Sequence, residues 1–299
     1  MNKFAIVTDS ASDIPPEIAG RMGIRVIPGF INVRRGGTSG MAERNAKRYL
    51  DAVRKAKRSS RTLMASPIDY LDAYQSLAAQ GYTDILSIHI SGSLSSTVDF
   101  PRYLARSIFD DVRIEVVDSL TATVAEGAMG LEAAAIAAAG GTIDDALARV
   151  FAIRDSIQIL IASRNLDRHT GGGNVTALQA TGPSLLKMCP VIGFDRSGGL
   201  QVSHNAHGLR RAARLIAEDL AMRERERGAR VYFTLHAGAS RALEHLEREV
   251  CTHGVRGPFG GRREIGQCIA ACVGEGSFGV VSYPVELHCS ELLSDGLLS

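Results

Sequence analysis

The chain predicts an α/β fold of two domains. The N-terminal domain has a largely parallel sheet flanked by helices, and the C-terminal domain mixes strands and helices. Three observations predict this. Short apolar runs alternate with amphipathic stretches, the runs of the first half close on Asp, Ser or Gly, and the second half adds hairpin signals. The 299 residues suit about two domains of roughly 100–200 residues each. The change of character places the boundary near residue 163, giving domains 1–163 and 164–299 with a ligand site between them.

Residues 4–8 form an apolar run closed by Asp9-Ser10, a first strand. Residues 24–31 form another, broken by Pro28, which places it at an edge or a bend. Residues 42–57 have helical composition. Ser66-Pro67-Ile68-Asp69 opens a helix. Ser66 caps it, Pro67 fits the first turn and Asp69 fills the acidic capping-box position. Ile68, Leu71, Tyr74, Leu77 and Ala78 follow at helical spacing, up to a stop at Gly81. Strands are expected at 84–90 and 112–117, with a helix near 98–108 between them. An Ala-rich helix over 123–139 stops at Gly140-Gly141, and Thr142 to Asp145 opens the next.

In the second half, 158–162 is a strand and 180–188 is helical in part. Residues 191–194 and 200–203 flank Asp195 to Gly199, a hairpin signal. Residues 209–227 form a long amphipathic helix with Leu209, Ala212, Ala213, Ile216 and Leu220 on one face. A strand at 230–235 and a helix at 240–250 follow. Residues 269–273 and 280–283 read as strands around a Gly-rich turn.

Composition excludes several functions. Lys and Arg total 34 against 32 Asp and Glu, a balance unlike that of a dedicated nucleic-acid binder. Aromatic residues make up 5% with no Trp, so base-stacking platforms are not the main device. No apolar run approaches the ~18–20 residues of a membrane span. The opening MNKFAIVTDS reaches Asp9 before a signal-peptide core forms, which points to the cytoplasm. Five Cys without disulfide-framework spacing fit a reducing compartment.

Hydroxyl clusters sit at strand ends, where ligands bind in open parallel sheets. Asp9 and Ser10 follow the first strand, Ser119 follows the strand at 112–117, and Thr62 precedes the Ser66 cap. The richest is the loop after residue 90, with Ser91, Ser93, Ser95, Ser96 and Thr97. Amides and hydroxyls at such a helix start receive an oxyanion; the competing reading is a Ser/Thr-capped turn. Other motifs fail on context. Gly274 to Gly279 matches G-x-G-x-x-G but leads into a strand, not a helix. Neither a P-loop nor a G-x-S-x-G elbow occurs. Cys268 and Cys272, read on a strand, sit about 13 Å apart, too far to chelate one metal, and form a buried thiol pair. His89 reads as a packed or hydrogen-bonded sheet residue.

The order of these motifs resembles the DegV family. Ile6-Val7-Thr8-Asp9-Ser10-Ala11-Ser12-Asp13 is similar to its opening. Thr62, Ser66 and Pro67 match its Thr-Ser-Gln-Pro-Ser-Pro segment, and the residues from Ser91 to Thr97 match its Ser-Ser-x-Leu-Ser-Gly-Thr loop. Val117-Asp118-Ser119, Gly172-Gly173-Asn174, and Cys272 to Gly279 match later blocks. The resemblance implies a two-domain protein that binds a long-chain fatty acid in an interdomain tunnel. Thr62 and the residue 91–97 loop would hold the carboxylate, with Asp9, Ser10, Ser119, Asn174 and Cys272 nearby. It implies a ligand-binding protein without its own catalysis or cofactor, with a role in lipid transport or fatty acid metabolism. Some relatives present the acyl group to a separate fatty acid kinase subunit. This chain departs at Asn174, Cys189 and Cys272, where the family carries Arg, Lys and His. The alternative is a hydrolase or transferase acting on a small carboxylated or phosphorylated metabolite, using Ser95 or Ser10 with Asp9 or Asp118. An apolar tunnel behind the Ser loop favours the lipid, and an open polar cleft there favours the enzyme.

Overall fold

The computed structural model describes residues 4–32, 38–40, 61–63, 65–107, 109, 111–163 and 188–289. The helix expected at 42–57, the expected partly helical segment 180–188 except Met188, which is not helical, and Asn174 lie outside the described residues. In chain order the first half holds β1 (Phe4–Asp9), α1 (Pro16–Arg21), β2 (Ile24–Ile27), β3 (Phe30–Asn32), β4 (Thr38–Gly40), β5 (Arg61–Leu63) and α2 (Pro67–Ala79). It continues with β6 (Asp84–His89), α3 (Asp99–Ser107), β7 (Arg113–Asp118), α4 (Val124–Ala138), α5 (Ile143–Ser156) and β8 (Gln158–Ala162). Then come β9 (Cys189–Phe194), β10 (Leu200–Ala206), α6 (Leu209–Arg227), β11 (Arg230–His236), α7 (Ser240–Thr252), β12 (Phe259–Glu264), α8 (Gln267–Val273) and β13 (Phe278–Pro284).

The first sheet has the order β2-β1-β6-β7 and is parallel throughout. The second has six strands in the order β10-β9-β8-β13-β11-β12, antiparallel except for the β11/β12 edge. A small antiparallel sheet, β4-β3-β5, stands beside the first. The expected run at 24–31 therefore divides at Pro28-Gly29 between two sheets. β8 ends just before residue 163, yet it is paired on both sides within the second sheet.

Side-chain alternation sorts the core into layers. Ala5, Val7 and Ile85 face Tyr70, Tyr74 and Leu77 of α2. Phe4, Ile6, Leu86 and Ile88 face α4 and α5. Ile159, Ile161, Val281 and Tyr283 of the second sheet cover the same two helices from the other side. Leu160, Val280 and Phe278 face α6 and α7. The order is thus helix, sheet, helix, sheet, helix, and the middle layer is shared. This explains the Ala-rich stretch, because a helix between two sheets needs small residues all round. Every residue from Val124 to Ala134 is buried.

Local signals behave as the sequence predicts at both capping boxes. The Ser66 hydroxyl accepts from Ile68 N, and Asp69 accepts from Ser66 N. Thr142 and Asp145 do the same for α5. Residues 267–273 are a correction, since they form α8 and not a strand. An apolar run of this length carries no decisive period, and Gly266 and Gly274 bracket one Ala-containing helix of two turns. Cys268 and Cys272 then lie one turn apart, with the Cys272 thiol donating to Cys268 O. β12 was not anticipated. Its Phe-Gly-Gly-Arg-Arg-Glu lacks an apolar face because it is an edge strand paired only with β11. Arg230, 1% exposed, ties α5 to the second sheet by donating to Ser156 O at 2.7 Å and Ser282 O at 2.9 Å. Burial brings its guanidinium down to about 10.

Two glycines of α4 test the tight middle layer. A side-chain carbon on Gly127 would overlap the Ser12 carbonyl oxygen, whereas one on Gly130 meets only Ile14 Cδ1 at 3.4 Å. Gly127→Ala should destabilise by roughly 1–3 kcal/mol despite its better helix propensity. Gly130→Ala should be neutral or stabilise by up to about 1 kcal/mol. Urea unfolding midpoints of the two variants check the contrast.

Candidate binding site

β1, β6 and β7 run in the same direction, so their carboxyl ends open on one edge. Asp9 sits there, 4% exposed. Its Oδ1 accepts Ala11 N at 2.8 Å, and its Oδ2 accepts Ile90 N at 3.1 Å and faces His89 Nδ1 at 3.2 Å. His89 Nε2 lies 2.7 Å from Ser87 Oγ, which lies 2.7 Å from Tyr74 OH. One direction satisfies the chain. Tyr74 donates to Ser87, Ser87 to His89, and His89 to Asp9. This buried Ser-His-Asp series is structural, because Ser87 is fully enclosed between α2 and the sheet. The expectation for His89 is met.

The predicted hydroxyls divide. Ser10 accepts Gly29 N at 3.0 Å and fixes the bend from β2 into β3. Ser91 donates to Gly198 O and Ser93 to Ser197 O, both at 2.7 Å, so they bind the loop to the β9–β10 hairpin. Ser119 donates to Thr121 O at 3.1 Å. Ser95 and Thr97 pair through their hydroxyls at 2.6 Å, and Ser95 caps the short 3-10 turn that starts at Ser96. One hydroxyl hydrogen bridges that pair, and the other has no partner among the described residues. Asp118 accepts Gly92 N and Leu120 N, closing the loop from the β7 side.

Thr62 lies in β5 opposite Ile31 of β3. α8, which carries Cys272, packs against β5 and against the turn at residues 10–12. The Thr62 strand, the β1 end and α8 are therefore brought to one place. Cys189 is different. It is fully buried against α6, so its identity concerns packing rather than charge at the site. Between the Ser12–Pro15 loop, α4 and the second sheet runs a narrow apolar cleft of about 20 Å³, lined by Ile14, Val124, Ala128, Leu131, Phe233 and Tyr283.

Acids under the crevice were not singled out from sequence. Asp13 accepts from the Thr123 hydroxyl and from Gly266 N, joining the start of α4 to the start of α8. Burial raises its carboxyl to about 7, against the lowering effect of those two donors. Glu126 Oε1 accepts from Thr8 at 3.0 Å, and burial pushes its carboxyl well above the usual range, helped by nearby Asp9. Glu132 points to the other sheet, taking Tyr283 OH at 2.9 Å and Cys289 N at 2.9 Å. The available signal was a pair of glutamates inside an otherwise apolar helix. Asp13, Leu120 and Thr123 all have positive φ, at 52°, 54° and 58°. Such conformations at non-glycine residues gather at functional sites.

Among the described residues no base is hydrogen-bonded to either candidate nucleophile. Ser95 bonds to Thr97 and Ser10 to a backbone amide, with no histidine on either. Among the described residues no group of His, Cys, Asp and Glu is placed to hold a metal, and no helix is long and apolar enough to cross a membrane.

Two sheets sharing one helical layer, with hydroxyls and buried acids at the strand ends between them, define the architecture as α/β. The chain belongs to the DegV family, whose model, described as one of uncharacterised proteins, matches residues 3–285. A DegV domain-containing protein of Deinococcus radiodurans is 26% identical over 283 residues, 94% of this chain and 99% of that protein. A DegV family protein from Thermus thermophilus, described as fatty acid binding, superposes with a TM-score of 0.86 at 27% identity, covering 94% of this chain and 99% of its own. The Streptococcus pneumoniae Fatty Acid Kinase (Fak) B3 protein, loaded with linoleic acid, shares the fold with a TM-score of 0.79 at 17% identity, over 95% of this chain and 99% of its own.

Asp13 gives a pH signature. In the fold it keeps its proton up to about pH 7, whereas its ordinary value is 3.8. Between those values the folded state holds the extra proton, so stability falls as pH rises, by up to about 1.4 kcal/mol per pH unit, and levels off above pH 7. Asp13→Asn should reduce the slope by its own share and leave the part that Glu126 contributes. Urea midpoints from pH 4 to 8 check this, and an unchanged slope would place the titration elsewhere.

Proposed function

We propose that the protein binds a long-chain fatty acid in the crevice between the two sheets, in the cytoplasm and without a cofactor. Thr62 and the residue 91–97 loop hold the carboxylate, and the acyl chain lies against the apolar cleft beside α4. The observation that carries this reading is the meeting of the Thr62 strand, the β1 end and α8 next to that cleft. The fatty-acid-binding relative from Thermus thermophilus supports it over nearly the full chain. The tail supplies most of the affinity, at about 0.8 kcal/mol per buried CH₂. An acyl chain entering here parts the walls at Gly127 and Ala128, where side chains are smallest. The spare hydroxyl hydrogen of the Ser95–Thr97 pair donates to the head. Raised affinities of Glu126 and Asp13 for protons keep negative charge low beneath that head.

Native mass spectrometry of the purified protein, followed by organic extraction, tests the reading. A fatty acid should be released in stoichiometric amount, and an empty or polar-loaded protein would overturn it. Ser95→Ala should weaken fatty acid binding by roughly 0.5–1.5 kcal/mol, measured by titration with a fluorescent analogue.

The same reading gives the protein a place beside a separate kinase that phosphorylates the bound acyl carboxylate. Cys272 stands where the family pattern has His, on the helix that packs against β5. Restoring the ring by Cys272→His should raise acyl-phosphate formation by about tenfold, the worth of one charged hydrogen bond. A turnover assay with a partner kinase checks it, and unchanged turnover would remove residue 272 from the mechanism.

A further inference from the structure

The apolar cleft beside α4 has a volume of about 20 Å³, room for about one water. A pocket that encloses a small ligand has roughly 300–1,000 Å³, so an acyl chain enters only if a wall moves. One wall is α4, packed between both sheets. The facing wall is formed by Phe233 and Tyr283, whose rings stack 6.3 Å apart. That wall is braced from outside the cleft.

The brace centres on Glu132, fully buried and one residue past Leu131 of the cleft. Its Oε1 accepts from Tyr283 OH at 2.9 Å and lies 2.7 Å from His288 Nδ1, and those two partners are themselves 2.7 Å apart. Its Oε2 accepts Cys289 N at 2.9 Å and stands 3.5 Å from Arg149 Nη1. The His288 ring meets Tyr283 at 5.7 Å and Phe233 at 6.5 Å, edge to face in both cases. Leu287 and Cys289 pack against the same core. Residues 285–289 thus lie strapped behind the aromatic wall. The family match ends at residue 285, so His288 and Cys289 stand past it.

Arg149 makes this latch reversible. With the strap docked, its Nη1 donates to Leu287 O at 2.7 Å and stands off from Glu132. Once the strap leaves, the guanidinium loses that carbonyl and closes on Glu132. The carboxylate keeps a cation, which avoids the cost of an uncompensated buried charge. Moving the Tyr283 ring breaks the Glu132–Tyr283–His288 triangle at its hydroxyl. Ring position and strap docking are therefore one two-state equilibrium.

We propose that residues 285–289 form a ligand-operated strap. An acyl chain in the cleft displaces Tyr283 and releases His288 and Cys289 from Glu132, so the loaded protein presents Leu287 and Cys289 to solvent. The inference rests on the fatty-acid reading of the cleft. By linkage, strap and acyl chain oppose one another by the same factor.

Alkylation of Cys289 by iodoacetamide, read by peptide mass spectrometry, reports the strap, with exposed Cys251 as internal reference. The full chain is stripped of lipid and compared empty and loaded with palmitate, the loading being read by native mass spectrometry. Palmitate should speed Cys289 severalfold and leave Cys251 unchanged. His288→Ala should alkylate fast even when empty and bind palmitate about tenfold more tightly, the worth of one hydrogen bond to a charged group. Tyr283→Phe keeps the ring and loses the hydroxyl, so palmitate should bind it without speeding Cys289. This variant carries the test if His288→Ala does not fold. An unchanged Cys289 rate in the palmitate-loaded full chain, equal acceleration in Tyr283→Phe, or unchanged or weaker palmitate binding by folded His288→Ala overturns the strap and leaves the fatty-acid reading standing. No palmitate bound by any form overturns both.

Discussion

The buried carboxylate of Asp9 holds the site together. It joins the end of β1 to the end of β6 through Ile90 N and His89, and it starts the 3-10 turn through Ala11 N. A carboxylate out of water must find several donors, and here the donors come from two strand ends. The turn that results points Ser12 and Asp13 at α4 and α8. The crevice therefore exists because one side chain cannot be satisfied by its own strand. The Ser87–Tyr74 extension of the same network locks α2 against the back of the sheet.

The two sheets are held at the site by short polar links. Ser91 and Ser93 on one side donate to carbonyls of the hairpin on the other, and Asp13 accepts Gly266 N across the same boundary. On the far side of α4, Glu132 gathers Tyr283 and His288. The two glutamates of the shared helix thus address opposite sheets, one through Thr8 and one through Tyr283. A helix that touched only one sheet would have no use for both.

Much of this was legible beforehand because it is local. Capping boxes at Ser66 and Thr142 need only four residues, and the strands β1, β6 and β7 carry strong apolar runs. The hydroxyl loop was legible as a loop, but its division of labour was not. Whether Ser93 meets a ligand or a carbonyl depends on Ser197, about a hundred residues away in the chain. α8 was misread because two Ala and two Cys between glycines fit either period, and β12 because an edge strand needs no apolar face. Glu126 and Asp13 were hidden for another reason. Their chemistry comes from burial under the second sheet, and nothing in their immediate neighbours announces it.

The shared middle layer has a consequence for synthesis on the ribosome. β8 emerges after α4 and α5, but its partner β13 is the last strand described, more than a hundred residues later. Until then, one face of an Ala-rich, glutamate-bearing helix pair has no sheet to cover it. The nascent chain can finish the parallel sheet early and must then wait, with that apolar face exposed, for its second half. Small side chains make this interval safer, because alanine offers less surface for misassociation than leucine does. The composition that lets two sheets close on one helix also limits the hazard of the delay before they do.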